Sequence, residues 1–399
     1  MFDQATPPAL RLSDYEISPS LGFLSPYSAA SVQLPDYFAP IQKVAAELPK
    51  ILTTGLVRAR LSGLPALDLT RFCAEATEAQ KRVAMVHYSF LVQSYVWGEP
   101  EAPSSLPECL ALPIWQLANA IGQKPLLTYS AYVLDNWALL DPDGDIDLSN
   151  IHMVQHFLGG QDETWFVTVH VAIEAAAGHM LAQIPLSLEA IENDDAGALT
   201  EALTQVSATW DTVLAIFDRM PERCDPFIYY QRVRPWIHGW KDNPALGAGL
   251  IYQGVEETGG KPQAFRGQTG SQSSIVPTMD AFFGIQHASD PMKAYLDELH
   301  AYRPPAHRAF IDAVRERSTV RQFITNNGDE ALATLYNECI SKLAQFRTKH
   351  LEYAASYINK QAKTADGNDT DIGTGGTPFM KYLKKHRDEV NQQLLASKL

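Results

Sequence analysis

The chain has 399 residues, 46% of them hydrophobic, and a formal net charge of -14. That length is too great for one small core and sets an expectation of about two domains. The acidic balance excludes a phosphate-backbone partner, since nucleic-acid binders present a basic face, and no stretch approaches the roughly 20 uninterrupted apolar residues of a membrane span.

The N-terminus, MFDQATPPALRLSDYE, lacks a basic start followed by an apolar core, so no secretory signal is expected. Cys73, Cys109, Cys224 and Cys339 lie far apart. With no CxxC and no CxxCH they signal neither a zinc site nor covalent haem attachment, and a reducing, cytoplasmic setting is expected. The first third is proline-rich and broken into short pieces, with SPSLGFLSPYSAASVQLPDYFAP as an irregular entry and a helix predicted from Phe72 to Gln93. LDPDGDIDLSN, residues 140–150, is a polar break. It is similar to a calcium loop, but counting from Asp141 the sixth and twelfth positions hold Ile146 and His152, where an EF-hand needs Gly and Glu. A solvated loop is expected there. We place a boundary just beyond it: a smaller, mixed but mostly helical domain over 1–155, and a larger helical domain over 156–399.

From about residue 160 helical patterns dominate. TWFVTVHVAIEAAAGHMLAQI (Thr164 to Ile184) and DAGALTEALTQVSATWDTVLAIFDRM (Asp195 to Met220) are two. A third runs from Glu330 to Gln361, with Leu332, Leu335, Cys339, Leu343, Phe346, His350, Tyr353 and Tyr357 at steps of three and four, and NNGDE before it supplies capping residues. Alternating strand patterns are few, so the class is mainly α, with a helix bundle in the second part. Residues 360–372 are polar, and a last helix starts at TPFMKYLKKH, with Thr377 as N-cap and Pro378 in the first turn.

His350 raises the first chemical question, because it is a titratable group inside an apolar stripe. His170 repeats the pattern beside Phe166, Val169 and Ile173. Each is readable as a core histidine bonded to a carbonyl. A bundle that buries haem also needs an apolar wall, one axial imidazole and a second polar group opposite. Arg347, one turn before His350, is either a surface residue or the partner of a carboxylate. GTGGT, Gly373 to Thr377, suits a flexible hinge or a lid equally, and no GK[ST] follows it to make a nucleotide loop. The stretch Tyr229 to Val255 crowds Tyr, Trp and Arg together, which suits an aromatic ligand with a carboxylate or ordinary packing. The HRD at His386 lies among lysines, with no Gly-rich loop or DFG, and is expected on the surface.

Longer blocks then carry a resemblance. RPWIHGWKDNPALGAGLIYQGV, GSQSSIVPTMDAFFGIQH, YRPPAHRAF, FRTKHLEYAASYI, GTGGTPFMKYLK and YVLDNW resemble, over about residues 20–395, the indoleamine 2,3-dioxygenase family of haem enzymes that open the indole ring of tryptophan. The resemblance implies non-covalent haem b with His350 as the iron ligand. It implies an Arg347–Asp280 ion pair beneath the haem, with Thr269 and Phe217 also against the cofactor. Arg234 would bind the substrate carboxylate, Thr374 would close a lid at about 360–377, and Tyr129, Val133 and Phe166 would shape the indole pocket, with the smaller domain covering it. Three positions depart from the mammalian pattern: His170 replaces a serine, and Tyr229 and Tyr230 replace two phenylalanines. The sister family, tryptophan 2,3-dioxygenase, uses a distal histidine toward the indole N–H, a role open to His170.

The implied reaction inserts both atoms of O2 across the indole C2–C3 bond of L-tryptophan to give N-formylkynurenine, with an electron donor keeping the iron ferrous. His170, Arg234 and Thr374 would act on the substrate. A monomer is expected. The rival readings are oxygenation of a substituted indole, by one or two atoms, a haem-based sensor, and a helical scaffold without cofactor.

Overall fold

The computed structural model describes residues 9–289, 291–362 and 379–395. Helices dominate it, in line with the mainly α expectation. Among the described residues the named strands form two small pairs: Ser105–Leu106 beside Ile251–Tyr252 in parallel, and Trp137–Leu139 antiparallel to Ile151–Met153. The second pair brackets residues 140–150, so the polar break is a hairpin loop. Its Asn150 side chain donates to the Asp141 and Asp145 carbonyls and closes the turn.

The helix predicted from Phe72 to Gln93 is two helices, Thr70–Glu75 and Glu78–Trp97. Thr77 divides them. Its hydroxyl accepts from the Gln80 N–H while the Gln80 side chain accepts from the Thr77 N–H, a capping box that starts a new helix. The other long helices match expectation: Gln161–Leu181, Ala196–Asp218 and Glu330–Ala354. Asp329 caps the last of these by accepting from the Ala331 and Leu332 N–H groups. The helical path continues past Gln361 as expected, through a π-helical stretch, Ala355–Asn359, into Lys360–Ala362. Thr377 and Pro378 lie outside the described residues, and Phe379–Asn391 forms the C-terminal helix.

Helix Ala196–Asp218 packs against both Gln161–Leu181 and Glu330–Ala354, and the C-terminal helix packs on the latter. Gln161–Glu192 is long and apolar enough to cross a membrane, but most of it is buried inside the protein, as a core helix is. Its backbone is approached directly by the irregular N-terminal segment. A Cβ at Gly178 would lie 2.4 Å from the Pro19 carbonyl oxygen, so glycine is required there. Buried apolar side chains form one continuous cluster from Leu10 to Val390, which holds the site helices rigidly.

Candidate functional site

The site lies between helices Gln161–Leu181 and Glu330–Ala354. Two cavities meet there, of about 700 Å³ and about 140 Å³, and both are lined by His170, Phe217 and His350. The larger falls within the range of about 300–1,000 Å³ common for small-molecule sites. Helical spacing assigns the walls. On one helix Phe346 and Arg347 face the larger cavity, and Tyr353, Ala354 and Tyr357 the smaller. On the other, Phe166 faces the smaller cavity, and Ile173 and Glu174 the larger. His350 and His170 therefore stand at the junction.

Burial pushes the His350 imidazole down to about 4, with His170 and Arg347 nearby adding to the effect, so the ring is neutral at ordinary pH. Among the described residues neither of its ring nitrogens has a hydrogen-bond partner. His170 is also held below its ordinary value by burial. Its Nδ1 lies 2.7 Å from the Phe166 carbonyl oxygen. A carbonyl only accepts, so Nδ1 carries the proton and Nε2 is left with a lone pair. Rings close in on both sides, Phe166 at 4.7 Å and Tyr129 edge-on at 6.3 Å between centroids.

Arg347 Nη2 is 2.5 Å from Asp280 Oδ2. Burial alone would raise the Asp280 carboxyl, but Arg347 and His287 outweigh it and hold the group at about 2. His287 sits between two carboxylates, 3.2 Å from Asp280 Oδ2 and 2.6 Å from Glu389 Oε2, so its ring carries both protons. His386 stacks on His287 with ring centroids 4.3 Å apart. That overturns the surface expectation for His386: it is 2% exposed and lines the larger cavity. On this helix His386, Glu389 and Val390 are buried, while Lys384 is exposed and Lys385, Arg387 and Asp388 are half-buried.

The remaining predicted residues are distributed unevenly. Tyr129 and Asp280 line the larger cavity, and Phe166, Tyr229 and Thr269 the smaller. Val133 is buried in the π-helical turn Ser130–Leu134, behind the lining. Arg234 is buried in the turn after Tyr229, with its guanidinium 5.4 Å from the Tyr230 ring centroid, and does not line either cavity. Its charge reaches Tyr229, whose phenol burial pushes up and Arg234 pulls back down. Thr374 and the GTGGT segment lie outside the described residues. Sequence reasoning missed Glu174, His287 and Arg303. Glu174 had one signal, its place one turn beyond His170. His287 and Arg303 lay inside blocks that carry the family resemblance, but nothing in their local pattern marked them, because Glu389, Ser271 and Ser273, which they bond, come from other segments.

These residues fit the haem implied by the family resemblance. A neutral imidazole with a free lone pair is the ligand type that haem iron takes. It projects into a cavity whose walls include Ile173, Phe217, Ile275, Phe346 and Leu383, while Arg347 and Arg303 offer cationic edges for carboxylates.

A protein-family model described as indoleamine 2,3-dioxygenase matches residues 11–393. Indoleamine 2,3-dioxygenase 2 of Homo sapiens is 33% identical, covering 97% of this chain and 96% of its own. Indoleamine 2,3-dioxygenase 1 of Rattus norvegicus is 33% identical, covering 96% of each chain. A protein named myoglobin from Haliotis diversicolor is 30% identical, covering 96% of this chain and 98% of its own.

Proposed function

The chain belongs to the indoleamine 2,3-dioxygenase family, and we propose that it is a haem-dependent dioxygenase that opens the indole ring of L-tryptophan to N-formylkynurenine. The observation that carries the reading is the neutral His350 imidazole, which has no hydrogen-bond partner among the described residues and lines the same cavities as His170 with its Nε2 lone pair. Haem held by His350 supplies the O2 chemistry, and the protein supplies position and a dry pocket.

The residues divide the work as follows. Asp280 and Arg347 pin the His350 helix one turn below the ligand, and Phe217 and Thr269 pack against the cofactor. Phe166, Tyr129 and Val133 shape the indole pocket, and Tyr229 narrows it with a phenol where the mammalian pattern has phenylalanine. Arg234, which lines neither cavity, is assigned to the substrate carboxylate by the family resemblance, as Thr374 is assigned to closing over it. His170 accepts the indole N–H at Nε2 and so orients the ring without moving a proton. An external electron donor keeps the iron ferrous. A monomeric state, a cytoplasmic setting and a division near residue 155 belong to the same proposal.

Product mass tests it. Haem-loaded, ascorbate-reduced protein is incubated with L-tryptophan under 18O2. The expected product is heavier than tryptophan by two labelled oxygens. One labelled oxygen would mean monooxygenation, and a product only from a substituted indole would mean that His170, Tyr229 and Tyr230 have moved specificity. The relative named myoglobin favours a second reading, reversible O2 binding without chemistry. Under that reading no indole yields a product while O2 still binds and leaves.

A further inference from the structure

We propose that Glu174 is a positioning residue of this site, acting through the hydroxyls of Tyr129 and Ser273 to fix the wall against which an indole ligand is held. The proposal rests on the dioxygenase reading and adds a residue to it.

Glu174 lies one turn beyond His170 on the same helix face and is fully buried. Its Oε1 accepts two hydrogen bonds, from Tyr129 Oη at 2.9 Å and from Ser273 Oγ at 2.8 Å. Its Oε2 is buried with no hydrogen-bond partner, and among the described residues no cation pairs with the carboxyl. A single oxygen thus joins three segments that are far apart in the chain: the His170 helix, the turn that starts at Tyr129, and the loop 267–274. Tyr129 and Ser273 line the larger cavity, Thr269 the smaller, and Gly270 and Ser271 both.

The loop has other ties, mostly to its backbone or to amide groups; the Ser273 hydroxyl also accepts from the Ile275 N–H at 3.3 Å. The Gln272 side chain accepts from the Tyr129 N–H at 2.8 Å and donates to the Gly267 carbonyl at 2.9 Å. Arg303 donates to the carbonyls of Ser271 and Ser273. These hold the chain path. The Glu174 carboxyl is what aims the two hydroxyls, and with them the Tyr129 ring that packs edge-on against His170. A buried carboxyl with no cation opposes folding, and burial pushes this one up to about 7. A well-packed apolar side chain would be more stable here, so the carboxyl at a cavity wall is explained by what it positions.

The test uses the full haem-loaded chain in the ferric state and reads tryptophan affinity from the change in the Soret band. Glu174→Ala is expected to raise the Kd for L-tryptophan about tenfold, the loss of one to two hydrogen bonds. Glu174→Gln keeps a carbonyl oxygen at the Oε1 position and is expected to stay within about threefold of wild type. Because both act through one contact, the double variant Glu174→Ala, Tyr129→Phe is expected to be no weaker than Glu174→Ala alone. The proposal is overturned if Glu174→Ala binds like wild type, if Glu174→Gln is as impaired as Glu174→Ala, or if the effects of Glu174→Ala and Tyr129→Phe simply add. Should Glu174→Ala fail to fold, Tyr129→Phe and Ser273→Ala take its place. Each is expected to raise the Kd severalfold, and an unchanged Kd in both overturns the proposal. A wild-type chain that gives no Soret response to tryptophan overturns the dioxygenase reading and this proposal together. That outcome is distinct because it shows in the unmutated protein.

Discussion

His170→Ala gives the sharpest test of the indole pocket. The contact between Nδ1 and the Phe166 carbonyl, at 2.7 Å, sets the tautomer and leaves Nε2 as an acceptor at the junction of the cavities. A bond from indole N–H to that lone pair joins two neutral groups, worth about 0.5–1.5 kcal/mol net, or roughly 2- to 13-fold in affinity. Leaving the N–H buried without a partner costs about 1–3 kcal/mol, while alanine opens room for a water that recovers part of it. About tenfold is therefore the expected rise in Kd and KM for L-tryptophan. The ring also packs against Phe166 and Tyr129. 1-Methyl-tryptophan serves as the control for that packing, since it has no N–H to give, and its constants are expected to change by about twofold or less. Soret titration and initial rates measure both ligands. Burial holds His170 below its ordinary value, so wild-type affinity for tryptophan is expected to be flat above neutral pH. It falls in the acid range, where the imidazole protonates and the acceptor is lost. Equal losses for the two ligands would refute the orienting role.

Asp280→Asn leaves Arg347 beneath the site without its carboxylate, and breaking such a pair is expected to cost about 3 kcal/mol at pH 7, read by urea denaturation. The folded Asp280 value of about 2 is below the ordinary 3.8, so the stabilisation is fully present above pH 3.8 and is lost as pH falls toward 2. The gap between wild type and variant should close over that window, and a constant gap would refute the pairing. Glu174→Gln runs the other way. The wild-type carboxyl, at about 7 folded against 4.5 ordinarily, costs on the order of 3 kcal/mol once it is ionised in both states, above pH 7. The variant should be the more stable protein at pH 8, and its advantage should vanish as pH falls through 7 toward 4.5.

Helix Glu330–Ala354 was legible because its apolar positions recur at three and four and because Asp329 caps it. The break at Thr77 was legible too, since Thr-x-x-Gln is a capping-box pattern, but the run of apolar residues around it reads as one helix. Helix Gln161–Leu181 is buried on nearly every side, so its periodicity is weak. Of the three neighbours that define the His170 face, Phe166 and Ile173 reach the cavities while Val169 lies in the core. Polar composition hid His386, because one buried position per turn does not alter the average of a charged helix. Pairings across the chain, Asp280 with Arg347 or Tyr129 with Glu174, leave no periodic trace. The first came from motif resemblance alone, and the second from the structure.

Relatives of this chain that include both dioxygenases and a protein named myoglobin raise the question of which features separate chemistry from carriage. His350 alone does not, since either task needs one neutral axial imidazole. The opposite wall is more telling. O2 held in a haem pocket is a hydrogen-bond acceptor, and a wall that retains it has to donate. His170 donates to Phe166 and presents a lone pair, so it is mismatched to O2 and matched to an N–H. In the absence of tryptophan, His170→Ala is accordingly expected to change the rate at which O2 leaves the ferrous protein by about twofold or less. A donated hydrogen bond would be worth about 0.5–1.5 kcal/mol, and its loss would speed release by up to about 13-fold. Stopped-flow displacement of O2 by carbon monoxide distinguishes these outcomes. A tenfold faster release would reverse the tautomer argument, remove the acceptor on which the orienting role of His170 depends, and move the reading toward carriage.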